Sequence, residues 1–478
     1  MKTILLFLHK EEEVNNEFKN KCPYDVLIMD GIKERISPSF FKNIKTFIFE
    51  YPYVEKEWRE IYALHYSKTN YEKISPFVFR VHFVDQAINN IDEMSQDSYL
   101  GYITIRPLPA NFISKIVLKP KKELYGIKSE EQLYMILINK KIHLGHREIE
   151  ISTFPFFAQD GMVTVCAHSD ILMLSNILHE NYGREEITIE KLVLGLPPSY
   201  PSGRGLPSYD GLTLAQIGYF LQAKQWYTRI KGFGPIREAT RNNDEEMKKK
   251  IDEKIDEKID EVSEYIDSRI ESNIPCILSF WEHVVIVCGH TMENNIRNGY
   301  IVFDDSGYFT QKISNSNGKP LFGTKIDIEE FREKLRDIIK KERIILLYPE
   351  FEREYFPLQS VFKCISAIQK GYEESDKTEQ KRKMGRRILI MDSKELKKIL
   401  YNEKGIFEFD DYALPHYVWY VELSDENDSH KLLCCMLLDA SAHQKDYKYS
   451  YIYYEKDGKR QVTFKPTSII SLLKKIEQ

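Results

Sequence analysis

The most reactive arrangement in the sequence is a thiol at the start of a helix. In "QDGMVTVCAHSDILMLSNILHENYG", residues 159 to 183, Cys166 opens a run in which Ile171, Leu172, Leu174, Ile177 and Leu178 recur at helical spacing and Gly183 supplies a stop. A thiol is a strong nucleophile only as its thiolate, and the positive end of a helix dipole favours that form. The proton needs an acceptor, and the best-placed imidazole is His283, at the start of the apolar run "HVVIVCG". Such an imidazole is oriented by an Asp or Asn on an adjacent strand. Asp304 ends "GYIVFD", the strand expected to pair with that of His283. Asp305 is the neighbouring option, although strand alternation would aim it at the other face. Gln159, upstream of the thiol, could join the backbone N–H of Cys166 in stabilising an oxyanion. The chemistry that fits is acyl transfer: Cys166 as nucleophile, His283 as base and then acid, Asp304 as orienter, Gln159 as oxyanion donor.

A cysteine at an apolar helix start is in most proteins a structural thiol. It is His283, Asp304 and Gln159, in that company, that single out Cys166. His168 and His290 are runners-up for the base, and His168 ranks low because its side chain should run along the helix away from the sulfur. His143 and His146 in "KIHLGHRE" lack the Cys or carboxylate partners of a metal site, so neither metal nor cofactor is expected. The seven cysteines (22, 166, 276, 288, 364, 434 and 435) show no CxxC spacing and read mostly as reduced, buried thiols.

These residues must be carried by several packed elements. With 478 residues, 42% hydrophobic and 13% aromatic, the chain has core material for two or three domains despite 29% charged residues. Residues 1–120 mix strand-like runs ("TILLFL", "YDVLIMD", "KTFIFEY", "FVFRVHFV", "YLGYITIRP") with an amphipathic stretch at "EKEWREIYALHYSK", and read as an N-terminal α/β accessory region. Residues 121–345 hold the Cys166 helix, the helix "GLTLAQIGYFLQAKQW" capped by Thr213 or Asp210, and a long helix in which Ile251, Ile255, Ile259, Val262, Ile266 and Ile270 form a stripe among alternating charges. They also hold the strands "CILSFWEHVVIVCGH" and "GYIVFDDSG", joined by a polar loop "TMENNIRN". Residues 346–478 read as a C-terminal α/β accessory region.

The ordered set of Gln159, the Cys166 helix with "ILML" closing at "NYG", the helix "GLTLAQIGYFLQAKQW", the strand "IPCILSFWEHVVIV" and the strand "YIVFDDSG" resembles the papain-fold peptidases that process double-glycine leader peptides of bacteriocins. The likeness covers residues 150 to 310, about a third of the chain. It implies an α+β fold whose papain-like core packs a helix bundle on an antiparallel sheet, with additional α/β regions at both ends, and a Cys166, His283, Asp304 triad with Gln159 in the oxyanion hole. Three positions depart from the family pattern. Ala167 stands where a Gly is usual, Gln159 lies seven residues before Cys166 instead of six, and Asp305 replaces a Pro. The chain has neither the transmembrane segment nor the P-loop of the family's exporter partner, so peptide export is not expected.

The expected function is therefore that of a cytoplasmic cysteine peptidase acting on a protein or peptide substrate, with its outer regions shaping the groove or binding a regulatory protein partner, as in a bacterial defence effector. The competing expectations are a catalytically degenerate papain-like binding module, and a transglutaminase or deamidase, which shares the same residue order. A net charge of -5 argues against a nucleic-acid binder, and the one dense basic run, "KRKMGRR", reads as a solvated loop. No window reaches the ~18 apolar residues of a membrane span, so no membrane association is expected.

Overall fold

The computed structural model describes residues 3–463 except 23, 25, 70–73, 196–210, 225, 237–244, 281–282, 295, 306–308, 310–322, 353, 376–383, 405–413, 426–427, 442–448 and 457–458. The chain is α+β with antiparallel sheets. It divides into two compact units, Met1–Asp256 with Pro275–Leu347, and Glu257–Ile274 with Tyr348–Gln478. The division expected near residue 120 lies inside the first unit, where Phe79, Ile116, Ile136, Ile171, Ile286 and Phe303 belong to one hydrophobic core.

The first unit opens with β1 (Ile4–Leu8), α1 (Glu11–Lys19), α2 (Ile28–Arg35), α3 (Pro38–Phe41), β2 (Thr46–Tyr53), α4 (Lys56–Leu64), β3 (Val78–Val84), β4 (Tyr99–Ile105) and β5 (Ile113–Leu118). After β6 (Gln132–Met135) and the β7–β8 hairpin (Ile138–Leu144, Arg147–Thr153), the short β9 (Phe156–Phe157) pairs with β5. It completes a sheet ordered β1-β2-β3-β4-β5-β9. Strand β3 shows how alternation partitions this sheet. Phe79, Val81 and Phe83 join the core with Phe18, Phe40 and Trp58, while Arg80 and His82 face the other way and share the Glu50 carboxylate. One expectation fails here. The described residues of "YDVLIMD" form no strand, because Ile28, Met29 and Ile32 make a helical stripe that is fully buried, and Asp30 and Arg35 complement the two ends of the α2 dipole.

Next come α5 (Cys166–Tyr182), α6 (Ile189–Leu194) and α7 (Leu214–Ala223). Thr213 caps α7 by accepting from the Gln216 N–H at 3.2 Å; the alternative cap, Asp210, lies outside the described residues. The second sheet is built from β10 (Thr228–Phe233), then, beyond α8 (Glu245–Glu271), from β11 (Cys276–Phe280), β12 (His283–Glu293), β13 (Ile296–Phe303), β14 (Gly323–Asp327), and, after α9 (Ile328–Lys341), β15 (Ile344–Pro349). Its order is β10-β15-β11-β12-β13-β14, and β6 also pairs with β12. The run "CILSFWEHVVIVCGH" is thus two antiparallel strands, Ile277 opposite Ile286. The polar "TMENNIRN" is not a loop either. Both strands run into it as far as Glu293 and Ile296, turning at Asn294, whose φ of 51 is one that Asn tolerates well.

The second unit is a five-stranded antiparallel meander, β16 (Met384–Asp392), β17 (Tyr417–Asp425), β18 (Asp428–Asp439), β19 (Tyr449–Lys456) and β20 (Lys459–Thr463), with α10 (Leu358–Ser375) and α11 (Ser393–Lys404). Ile259, Val262, Ile266 and Ile270 of the α8 stripe are buried in it. The basic run "KRKMGRR" lies partly outside the described residues, but its Arg386 and Arg387 belong to β16 and pair with Glu264 and Glu271. No helix among the described residues is long and apolar enough to cross a membrane.

Candidate active site

The residues before α5 form a tight polar turn held by one carboxylate. Asp160, 4% exposed, accepts from the backbone N–H groups of Met162, Val163 and Thr164, the last at 2.7 Å, and from the hydroxyls of Thr164 (2.8 Å) and Tyr66 (3.0 Å). Gly161 adopts φ 83 within it. The preceding strand end is fixed by Arg106, which is fully buried and donates to the carbonyls of Ala158 (2.6 Å) and Gln159 (3.2 Å). Cys166 therefore starts α5 from a braced position. His168 spends its Nδ1 on the Val165 N–H at 3.3 Å, and burial pushes its imidazole down to about 4, so it serves as a neutral cap.

The Cys166 sulfur is half-buried, and the backbone N–H groups of Val284 and Ala167 favour its thiolate. Val284 is the residue that follows His283. Burial above all, then the nearby Asp170 and Asp305 carboxyls, pushes the thiol up to about 12, and the two N–H groups offset only part of this. In this conformation the sulfur is a thiol.

His283 and Asp304 meet across the β12–β13 hairpin. The register Ile286 opposite Phe303 carries the residue after Phe303 alongside the start of β12, and the His283 Nε2 lies 2.9 Å from Asp304 Oδ1. The other Asp304 oxygen accepts from the Phe309 N–H at 2.7 Å. An ionised carboxylate only accepts, so with Asp304 ionised the imidazole proton sits on Nε2 and the basic lone pair is on Nδ1. The Phe280 ring meets His283 edge to face at 5.8 Å and helps to fix its plane.

Asp305 was expected to face away. Strand β13 ends at Phe303, so alternation no longer governs the next two residues. The Asp305 carboxylate turns to the Gln159 N–H (3.2 Å), and its backbone carbonyl accepts from Arg35 Nη1 (2.8 Å). Burial raises its carboxyl to about 6, a rise opposed by the Gln159 N–H bond. Gln159 also lines a cavity of about 400 Å³ with Arg35, Asn111, Phe112, Phe156 and Asp305. That cavity is not bounded by Cys166 or His283.

Of the four residues read from the sequence, His283 and Asp304 are thus directly bonded, Cys166 lies beside the residue next to His283, and Gln159 is joined to Asp304's neighbour. His290, seven positions along β12, stacks on Tyr134 at 5.2 Å, and His143 and His146 sit on the β7–β8 hairpin beside Glu148 and Asp92. Four residues that sequence reading passed over complete the surroundings: Asp160, Arg106, Arg35 and Asp170. The Asp-to-Thr spacing in "DGMVT" is a legible turn signal for Asp160. Arg106, Arg35 and Asp170 carry none, because their roles come from distant chain segments. No protein family model matches the chain, and no curated protein sequence is significantly similar to it.

Proposed function

We propose that the chain is a cysteine peptidase with a papain-like catalytic core, acting on a protein or peptide. One observation carries the reading: the His283 imidazole is held by Asp304 at 2.9 Å, and the backbone N–H of the very next residue, Val284, favours the Cys166 thiolate. In the reaction, His283 Nδ1 takes the Cys166 proton as the sulfur attacks the scissile carbonyl carbon. The oxyanion accepts from the Cys166 N–H, one of the helix-start donors that have no intrahelical partner, and from the Gln159 amide. The imidazolium then gives its proton to the departing amine, and water, activated by the same nitrogen, hydrolyses the thioester. The thiols of Cys22, Cys166, Cys288 and Cys364, which form no disulfide, fit a reducing, cytoplasmic setting.

A second reading, a binding module on the same scaffold, is favoured by the thiol itself, which burial and two carboxyls hold in its neutral form. Both are tested by incubating wild type and Cys166→Ala with peptide mixtures and following products by mass spectrometry. Cleavage that disappears in the variant supports the peptidase, and a deamidation mass shift supports the related acyl-transfer reaction. Equal behaviour of the two proteins overturns any catalytic role for Cys166.

A further inference from the structure

Asp170 is a buried carboxyl that the reaction above does not use. It lies four residues beyond Cys166 on α5, hence on the same face one turn along, and helical side chains lean back toward the helix N-terminus, over the residue four before. It is 2% exposed, and its Oδ2 is buried with no hydrogen-bond partner among the described residues. An isolated, ionised carboxylate in such a position is among the costliest arrangements a protein can hold, whereas a protonated acid is tolerable and carries an O–H donor.

The groups around it argue the same way. Cys166 shares its helix, Asp304 and Asp305 approach from beyond β13, His283 of β12 stands behind Asp304, and Arg35 of α2 is bonded to the Asp305 carbonyl. The nearest charges are therefore two further carboxylates, and the cations are engaged with them. An ionised Asp170 would add its charge to those of Asp304 and Asp305, and whereas each of these accepts a backbone N–H, Asp170 Oδ2 has no donor among the described residues.

We propose that Asp170 is a positioning residue: a neutral carboxylic acid whose O–H, unbonded in this conformation, turns to the Cys166 sulfur and stabilises the thiolate when His283 withdraws the thiol proton. The inference rests on the assignment of Cys166 as nucleophile. It explains how a thiol in so acidic a neighbourhood can ionise at all, since a carboxylic acid at this position attracts the developing charge and a carboxylate would repel it.

The sign of a simple substitution separates the two cases. Alkylation of Cys166 by iodoacetamide, followed by intact mass on the full-length protein at pH 7, reads the thiolate without any substrate. Asp170→Ala is expected to slow alkylation about tenfold, the loss of one hydrogen bond to a charged group, and Asp170→Asn, which keeps a neutral donor, to restore it to within about twofold. An Asp170→Ala protein that reacts as fast as wild type or faster overturns the proposal, because removing a repelling carboxylate would accelerate the reaction. A second measurement covers a variant that folds poorly. The infrared spectrum of wild type at pH 7 should contain a carboxylic-acid C=O band that is lost in Asp170→Asn, and its absence from wild type is equally decisive against. Failure of the peptidase reading looks different, since peptide cleavage would then be absent or survive in Cys166→Ala whatever Asp170 does.

Discussion

His283 at the start of β12 and Asp304 just past the end of β13 face one another at 2.9 Å, and the second oxygen of the same carboxylate is occupied by the Phe309 N–H. Asp304 thus has one oxygen for orienting the imidazole and one for anchoring itself. This division makes the residue type matter. An Asn offers a single acceptor for two donors, and if its oxygen stays with Phe309 its NH2 faces Nε2 and drives the ring proton to Nδ1, the nitrogen that must act as base. Asp304→Asn should lower kcat/KM by on the order of 10³-fold or more, with little change in KM. Peptide-cleavage kinetics checks this, and a loss below about tenfold would show that Asp304 does not set the tautomer.

The Asp305 carboxyl, raised to about 6 from an ordinary value of 3.8, makes stability depend on pH in a defined direction. A group whose folded pKa is raised holds its proton longer in the native state, so the native state binds more protons and loses relative stability as pH climbs from about 4 to about 6. Asp305→Asn removes this dependence while keeping an oxygen for the Gln159 N–H. The variant should gain on the order of 1–3 kcal/mol over wild type above pH 6 and converge with it near pH 4. The buried imidazoles of His82 and His168, both lowered to about 4, act with the opposite sign, losing stability as pH falls below 6.5. The difference in Tm between the two proteins at each pH is therefore the informative quantity, and a gap that does not widen with pH would contradict the assignment.

Asp160 joins the stability of the turn to the placement of the thiol. Asp160→Ala would leave the N–H groups of Val163 and Thr164 buried without their acceptor, at a cost of about 2–4 kcal/mol. Asp160→Asn retains one acceptor and should lose about half as much. Thermal unfolding gives the first effect. Iodoacetamide kinetics on protein still folded at the assay temperature gives the second, since a loosened turn exposes Cys166 and makes alkylation faster.

Much of this was legible in the sequence, and the exceptions share a cause. The Cys166 helix, its Gly183 stop and the Thr213 cap are local events, decided within about a turn of chain, so periodicity and cap chemistry suffice to find them. "YDVLIMD" was misread because a short apolar window is compatible with either period, and only the residues after it, through Arg35, settle which. "TMENNIRN" was misread because exposed strand ends are polar and look like loops. The candidate site divides in the same way. Asp304 could be found by reasoning about a hairpin, but the turn of Asp305 toward Gln159 depends on where β13 stops, and Arg106 reaches Gln159 over 53 positions of sequence. The pressure that burial and the Asp170 and Asp305 carboxyls put on Cys166 is a property of packing that no spacing rule reveals.

The second unit carries a buried ion pair whose removal tests how far charge is built into its core. Arg269 donates to both oxygens of Glu354, at 3.0 and 2.5 Å, both side chains are fully buried, and the guanidinium lies 4.5 Å from the Tyr348 ring and 5.2 Å from that of Trp419. The carboxylate it grips holds Arg269 firmly in its charged form. Breaking such a pair strands a charge, so Glu354→Leu alone should cost about 3–5 kcal/mol. Arg269→Met with Glu354→Leu strands none and fills similar volume, so the double variant should lie within about 1–2 kcal/mol of wild type. Denaturant unfolding of the two single variants and the double variant closes the cycle. Additive single losses would mean that each side chain matters for its packing alone, whereas recovery in the double variant would show that the cost lies in the unpaired charge.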